Sequence, residues 1–268
     1  MNGLEERFRR ARRMGRSLFI PYITGGYPDT ETCRRILDAM AGAGAEIIEL
    51  GIPFSDPIAD GVTIQEATFK ALQAGATPRR VLELAGEISS SHDVSIVILT
   101  YLNPVYRMGS RRFMEEASRR GVEGIIIPDL PLEEAGPVKG VAMEHGISLV
   151  LLAAPTTSDE RLARILDETM GFTYLVSLTG TTGERDALPP TAIQLLRRSK
   201  SISPEKPVAV GFGVSRPDQA VELARLGADG VIAGSRIISE IKRSSASPEK
   251  AVERLMREFM EALSNLGQ

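Results

Sequence analysis

The residues of this chain whose types and spacing could do chemistry are two carboxylates and two glycine-rich turns. The carboxylates lie in the run EIIELGIPFSDPIADGVTIQ, positions 46–65. Glu49 sits inside an apolar strand pattern, on the same alternating face as Ile47. An inward carboxylate at the C-terminal end of a strand is costly to bury, so its pKa should rise there. A raised pKa lets one carboxyl group both donate and accept protons near neutral pH. Taken alone, Glu49 reads equally well as a carboxyl satisfied by a core partner such as a tyrosine. Asp60 follows a loop containing Pro53, Asp56 and Pro57 and precedes Gly61, at the entry to a helix. Taken alone it is a helix cap or turn residue. Beside Glu49 it gains a second reading, because two carboxylates after one strand can divide a proton-transfer task, one neutral and one ionised.

The turns are Gly211-Phe212-Gly213-Val214-Ser215 and Gly234-Ser235, each directly after a short apolar run. Backbone N–H groups at such turns and at a helix N-terminus bind phosphate, and glycine lets the backbone approach closely. Ser235 can add a hydroxyl donor. The same glycines would serve tight turns that need positive φ, and such turns can themselves form the anion site. The loop LTGTTGERDALPP, positions 178–190, is long and polar with two glycines, the pattern of a lid over a site.

These residues need a frame to bring them together. Short, nearly continuous apolar runs predict strands over 18–23, 47–50, 96–100, 124–127, 148–153, 172–177, 208–211 and 230–232, as expected of parallel strands covered on both faces. Helical patterns alternate with them. Asp29, Ser158 and Ser215 stand where N-caps are wanted for helices over 30–43, 159–169 and 216–226. Gly121, Gly146 and Gly227 follow helical last turns, where a left-handed residue is favoured, and 248–263 reads as a final helix. Eight strand–helix units in about 250 residues is the count of a (β/α)8 TIM barrel. No linker divides the chain, so the expectation is one TIM-barrel domain over 1–268. In such a barrel the site lies in the loops after the strands, with phosphate held after strands seven and eight.

The N-terminal segment carries Arg7, Arg9, Arg10, Arg12, Arg13 and Arg16. Glu5 and Glu6 lie among them, which an organelle transit peptide avoids. Leu4, Phe8 and Ala11 share one helical face, so 1–16 is expected to be a helix packed on the barrel with most arginines in water.

Composition excludes much else. The chain has 268 residues, with 32 Lys plus Arg against 35 Asp plus Glu, a net charge of −3 that argues against a nucleic-acid surface. One cysteine, Cys33, cannot make an intramolecular disulfide, which points to a reducing cytoplasmic setting. Two histidines, His92 and His145, and one cysteine make a His/Cys metal site improbable and leave few options for a Ser-His-Asp triad. The apolar runs are far too short to span a membrane.

The run IELGIPFSDPIADGVTIQ resembles the signature of the tryptophan synthase alpha chain family. In register with it are FIPYITGGYPD at strand one, YLNP after strand three, IIPDLP after strand four, GTTG after strand six, GFGVS after strand seven and AGS after strand eight. The family usually has Pro after the glycine that follows the catalytic Asp; here that position is Val62. The resemblance implies retro-aldol cleavage of indole-3-glycerol phosphate to indole and glyceraldehyde 3-phosphate. By it, Glu49 is the proton donor, Asp60 accepts the indole N–H, and Tyr174 lies near the scissile region. Gly183, Gly213, Gly234 and Ser235 would hold the phosphate, and Ile64, Leu99, Ile126 and Phe212 would line the indole pocket. Thr182 would be the lid residue. Asp56, Asn103 and Asp129 would face a pyridoxal-phosphate-dependent beta chain in an αββα complex, the alpha chain itself needing no cofactor or metal. Three other readings are a free-standing lyase, another phosphate-binding barrel such as a sugar-phosphate isomerase, and a non-catalytic allosteric subunit. A triosephosphate-isomerase-like site would want a Glu base after strand six and a His after strand four; here Glu184 is in the lid and strand four leads into IPDLP.

Overall fold

The computed structural model describes residues 3–176, 188–211 and 213–265. The apolar runs form β1 (Leu18–Thr24), β2 (Ile47–Gly51), β3 (Ser95–Leu99), β4 (Val122–Ile126), β5 (Ser148–Val150), β6 (Leu152–Ala153), β7 (Thr173–Leu175), β8 (Val208–Val210) and β9 (Gly230–Ala233). All neighbours pair in parallel, in the order β5-β4-β3-β2-β1-β9-β8-β7-β6. β5 and β6 are two pieces of the single strand expected over 148–153, so the two ends of the ladder meet and the sheet closes into a barrel. The break falls at Leu151, whose N–H donates to Thr169 Oγ1 at 3.0 Å instead of to a neighbouring strand. The strand expected over 172–177 is shorter, with β7 ending at Leu175 and Ser177 lying outside the described residues.

Strand alternation divides the apolar side chains into two cores. Outward residues such as Ile48, Leu50, Ile96 and Ile98 pack under the surrounding helices. Inward residues such as Ile20, Ile47, Val97, Val150 and Ile232 fill the barrel. Each face therefore loses its water, which explains why the strands read as unbroken apolar runs.

The helix Gly3–Arg13 packs on the barrel as expected, with Leu4, Phe8 and Ala11 joining the inner core. The rings of Phe8 and Phe172 lie 5.1 Å apart. The arginines are less free than the helical face suggested. Arg7 is buried, donating to Ser95 Oγ and pairing with Asp93, both at 2.7 Å. Arg10 and Arg16 both pair with Glu46, and Arg12 pairs with Asp229. Glu46 at the start of β2 therefore anchors the N-terminal helix, three residues before Glu49 at the other end of the barrel.

Asp29 caps its helix, accepting from Thr32 N, and Ser158 caps its own through Arg161 N. The third expected cap is different. The helix starts at Pro217, with Arg216 at the cap position. Pro217 has no N–H to offer and fits a first helical position, while Gln219 Oε1 folds back to accept from the N–H groups of Ser215 and Arg216 at 2.8 and 3.2 Å. Gly121, Gly146 and Gly227 take φ of 70°, 71° and 99°, the left-handed exits their positions demanded. Among the described residues no helix is long and apolar enough to cross a membrane.

Candidate active site

The residues that end β2 carry the first half of the site. Ile47 and Glu49 alternate inward, and Glu49 pairs in register with Tyr22 on β1 and Val97 on β3. Its side chain is 1 % exposed, and neither carboxyl oxygen has a hydrogen-bond partner. Burial, reinforced by the nearby Asp60 charge, pushes its pKa up to about 8. The Tyr174 hydroxyl beside it acts the other way without reaching hydrogen-bond geometry. The tyrosine anticipated as a possible core partner is therefore present but leaves the carboxyl unsatisfied. A protonated carboxyl at neutral pH is the form such a place favours.

Asp60 stands at the far end of the loop from β2, directly before Gly61 and the helix Val62–Gln73. Gly61 takes the cap position, with no side-chain cap bond, so Asp60 is not spent as a helix cap. Its backbone is held instead: Asp60 N donates to Pro57 O at 3.1 Å, and Gln65 Nε2 donates to Asp60 O at 2.8 Å. Burial raises the Asp60 carboxyl to about 6, against the lowering effect of the Tyr101 hydroxyl. Both environments raise the pKa, but Glu49 further, so at pH 7 Glu49 is mostly protonated while Asp60 stays mostly ionised.

Both face a cavity of about 490 Å³ at the C-terminal ends of the strands. Its wall includes Tyr22, Glu49, Asp60, Ile64, Leu99 and Tyr174, together with Gly213, Gly234 and Ser235. Gly213 takes φ of 65°, and Gly234 caps the helix Ser235–Arg243. The first N–H groups of that helix have no intrahelical acceptor, which makes its start an anion cradle next to the carboxylates. Ile126 is fully buried in the inner core and is not part of the cavity wall. Gly183, Thr182 and Phe212 lie outside the described residues. Asp56 is exposed in the loop after β2 and Asn103 is exposed in the helix Leu102–Met108, while Asp129 is half-buried and accepts Leu102 N–H at 2.8 Å.

Two further tyrosines belong to the site and were missed in the sequence. Tyr22 is buried on β1, its hydroxyl 3.1 Å from Thr24 Oγ1, and its ring lies against Gly51 and Gly234. Tyr101 follows β3 and touches the loop that carries Asp60. A tyrosine in an apolar run gives no signal of its own; only the inward register at β1 and the YLNP turn after β3 hinted at them. The two histidines are elsewhere: His92 Nε2 lies 2.7 Å from Asp38, and His145 ends the helix Ala135–Glu144.

A parallel barrel that gathers a neutral and an ionised carboxyl beside a glycine-lined helix N-terminus is a (β/α)8 barrel built for proton transfer on a phosphate-bearing substrate. The family model described as tryptophan synthase alpha chain matches residues 8–266. The tryptophan synthase alpha chain of Picosynechococcus is 42% identical over 98% of this chain and 98% of its own length. The structure of Mycobacterium tuberculosis tryptophan synthase superimposes with a TM-score of 0.90 at 35% identity, covering 97% of each chain. A chain of the Pyrococcus furiosus tryptophan synthase α2β2 complex does so at 0.86 and 45% identity, covering 92% of this chain and 98% of that one. The chain belongs to the tryptophan synthase alpha chain family.

Proposed function

We propose that the chain is the lyase subunit of tryptophan synthase, cleaving indole-3-glycerol phosphate to indole and glyceraldehyde 3-phosphate. The observation that carries this reading is Glu49: a buried carboxyl without hydrogen-bond partners, raised to about 8, lining the same cavity as Asp60. Cleavage at indole C3 is slow because the leaving group would be a carbanion. Glu49 in its acid form donates its proton to C3, which leaves positive charge on the ring nitrogen. The ionised Asp60 accepts the indole N–H and stabilises that charge, an interaction of the kind worth roughly 3–4 kcal/mol elsewhere. The C3–carbon bond then breaks, its electrons restoring the aromatic ring. The adjacent hydroxyl gives its proton to the Glu49 carboxylate and becomes the aldehyde, so Glu49 ends in the acid form it began with.

Tyr174 packs beside Glu49 and limits where its carboxyl points. Ile64 and Leu99 supply apolar wall for the ring, with Ile126 beneath and Phe212 assigned to the same pocket by resemblance. Gly213, Gly234 and Ser235 bind the phosphate, with Gly183 added by resemblance, and Thr182 acts as the lid residue.

The partner in this reading is a beta chain carrying pyridoxal phosphate, in an αββα complex in the cytoplasm. Supporting it are Ile58 and Tyr106, 80% and 65% exposed, apolar residues near Asp56 and Asn103 at the site end of the barrel. Large exposed apolar side chains in such a place mark an interaction surface. By the same resemblance, Asp56, Asn103 and Asp129 are the residues assigned to that interface.

Purified chain given indole-3-glycerol phosphate should release indole slowly, and faster when a cognate beta chain is added. Absence of indole under both conditions would sink the assignment. A free-standing lyase would instead show full rate alone and no response to the beta chain.

A further inference from the structure

Tyr101 sits where β3 leaves the barrel, at the cap position of the helix Leu102–Met108. Its side chain is buried, 2% exposed. Its hydroxyl accepts the Ala59 N–H at 3.0 Å, and its ring packs against Phe54 with centroids 5.4 Å apart. One side chain therefore grips the β2 loop at both ends, at Phe54 and one residue before Asp60. A phenol that accepts an N–H still has one proton to donate. Asp60 is the neighbouring carboxylate it influences: the Tyr101 hydroxyl favours the ionised Asp60, and Asp60 in turn makes Tyr101 harder to ionise. The next residue carries a second tie, because Leu102 N–H donates to Asp129 Oδ1 at 2.8 Å. The Tyr101–Leu102 pair thus fastens the loop after β2 to the loop after β4.

We propose that Tyr101 is a positioning residue for Asp60, its hydroxyl fixing the backbone one residue before that carboxylate and so aiming it at the ring nitrogen of the substrate. The proposal rests on the reading of Asp60 given above. It makes a distinction that mere packing would not. The groups facing Asp60 are Glu49 on β2, Tyr22 on β1, Tyr174 on β7 and Tyr101 after β3. Of these, Tyr101 is the one whose hydroxyl favours the charged form of Asp60, and the one tied to the backbone beside it, at Ala59 N–H. Removing that hydroxyl should therefore make Asp60 easier to protonate and leave the apolar contacts in place.

The test compares Tyr101→Phe, Asp60→Asn and the double variant, in the full chain with and without a beta chain. Losing the tie at the Ala59 N–H, which holds the backbone beside Asp60, predicts a fall in kcat of about 10-fold in Tyr101→Phe. KM and the melting temperature should stay close to wild type, and the acid limb of the kcat–pH profile should move to higher pH. The double variant should be no slower than Asp60→Asn, since a positioning residue has nothing left to position. Wild-type kcat and an unmoved acid limb in Tyr101→Phe, with Asp60→Asn crippled, would overturn the proposal and leave the site reading intact. So would two effects that simply multiply. Normal turnover in Asp60→Asn would remove both.

Discussion

Gly51 and Tyr22 meet so closely that a Cβ on the glycine would overlap the tyrosine hydroxyl and crowd the ring carbons behind it. Gly211 stands in the same relation to Tyr174. In each case a glycine at the end of an inner strand leaves the space a phenol occupies beside Glu49. Gly51→Ala should therefore displace Tyr22 and cost about 1–3 kcal/mol of stability through overpacking. Indole release should fall with it. Adding Tyr22→Phe, which removes the worst overlap, should recover part of the melting temperature. An unchanged melting temperature in Gly51→Ala would show that Tyr22 moves aside freely.

The paired carboxyls predict a bell-shaped pH dependence of kcat. Asp60 must be ionised and Glu49 protonated, so the rate should rise as pH passes about 6 and fall as it passes about 8. The two groups interact, so the limbs belong to the pair and not to either residue alone. Asp60→Asn should lose the acid limb and Glu49→Gln should abolish turnover while retaining substrate binding. Steady-state rates from pH 5 to 9.5 check this; a flat profile across that range would remove the proton-transfer roles.

Glu49 should also tax stability, and the sign follows from its raised pKa. Between its unfolded value near 4.5 and about 8 the folded chain binds more protons at this residue than the unfolded chain. Its contribution to stability is therefore fully present below about 4.5 and declines as pH rises toward 8. Glu49→Gln lacks the titration, so its stability relative to wild type should improve with pH, by on the order of a few kcal/mol across that window. Denaturant titrations at pH 5, 7 and 8.5 measure the difference. A gap independent of pH would mean that Glu49 is not held in its acid form.

Val62 occupies the place where the family usually has Pro. It is the first residue of its helix and is 64% exposed. The preceding Gly61 is extended, at φ −82° and ψ 168°, the conformation a residue before proline prefers. Proline fits a first helical position because its missing N–H is not needed there. Val62→Pro should therefore stabilise the chain by about 0.4–1 kcal/mol, through lost freedom of the unfolded state. A lower melting temperature in that variant would show that the loop before the helix needs more freedom than proline allows.

The sequence by itself determined the order of strands, the closure of the barrel and which two carboxyls come together at the cavity. It could do so because apolar runs, glycine exits and the inward alternation of Ile47 and Glu49 are local patterns with local causes. It misjudged features where another group competes for a backbone N–H or a charge, whether four residues along the chain or across the fold. Thr169 breaks the fifth strand at Leu151, Gln219 takes over from Ser215 at a helix start, and Arg7 is drawn into the fold by Ser95 and Asp93. Only the tertiary structure decided what Glu49 and Asp60 are worth chemically. Burial raises both pKa values, the Asp60 charge and Tyr174 on β7 act on Glu49, and Tyr101, just past β3, acts on Asp60. The sequence names the groups; the desolvation and the through-space charges that tune them exist only once the barrel has closed.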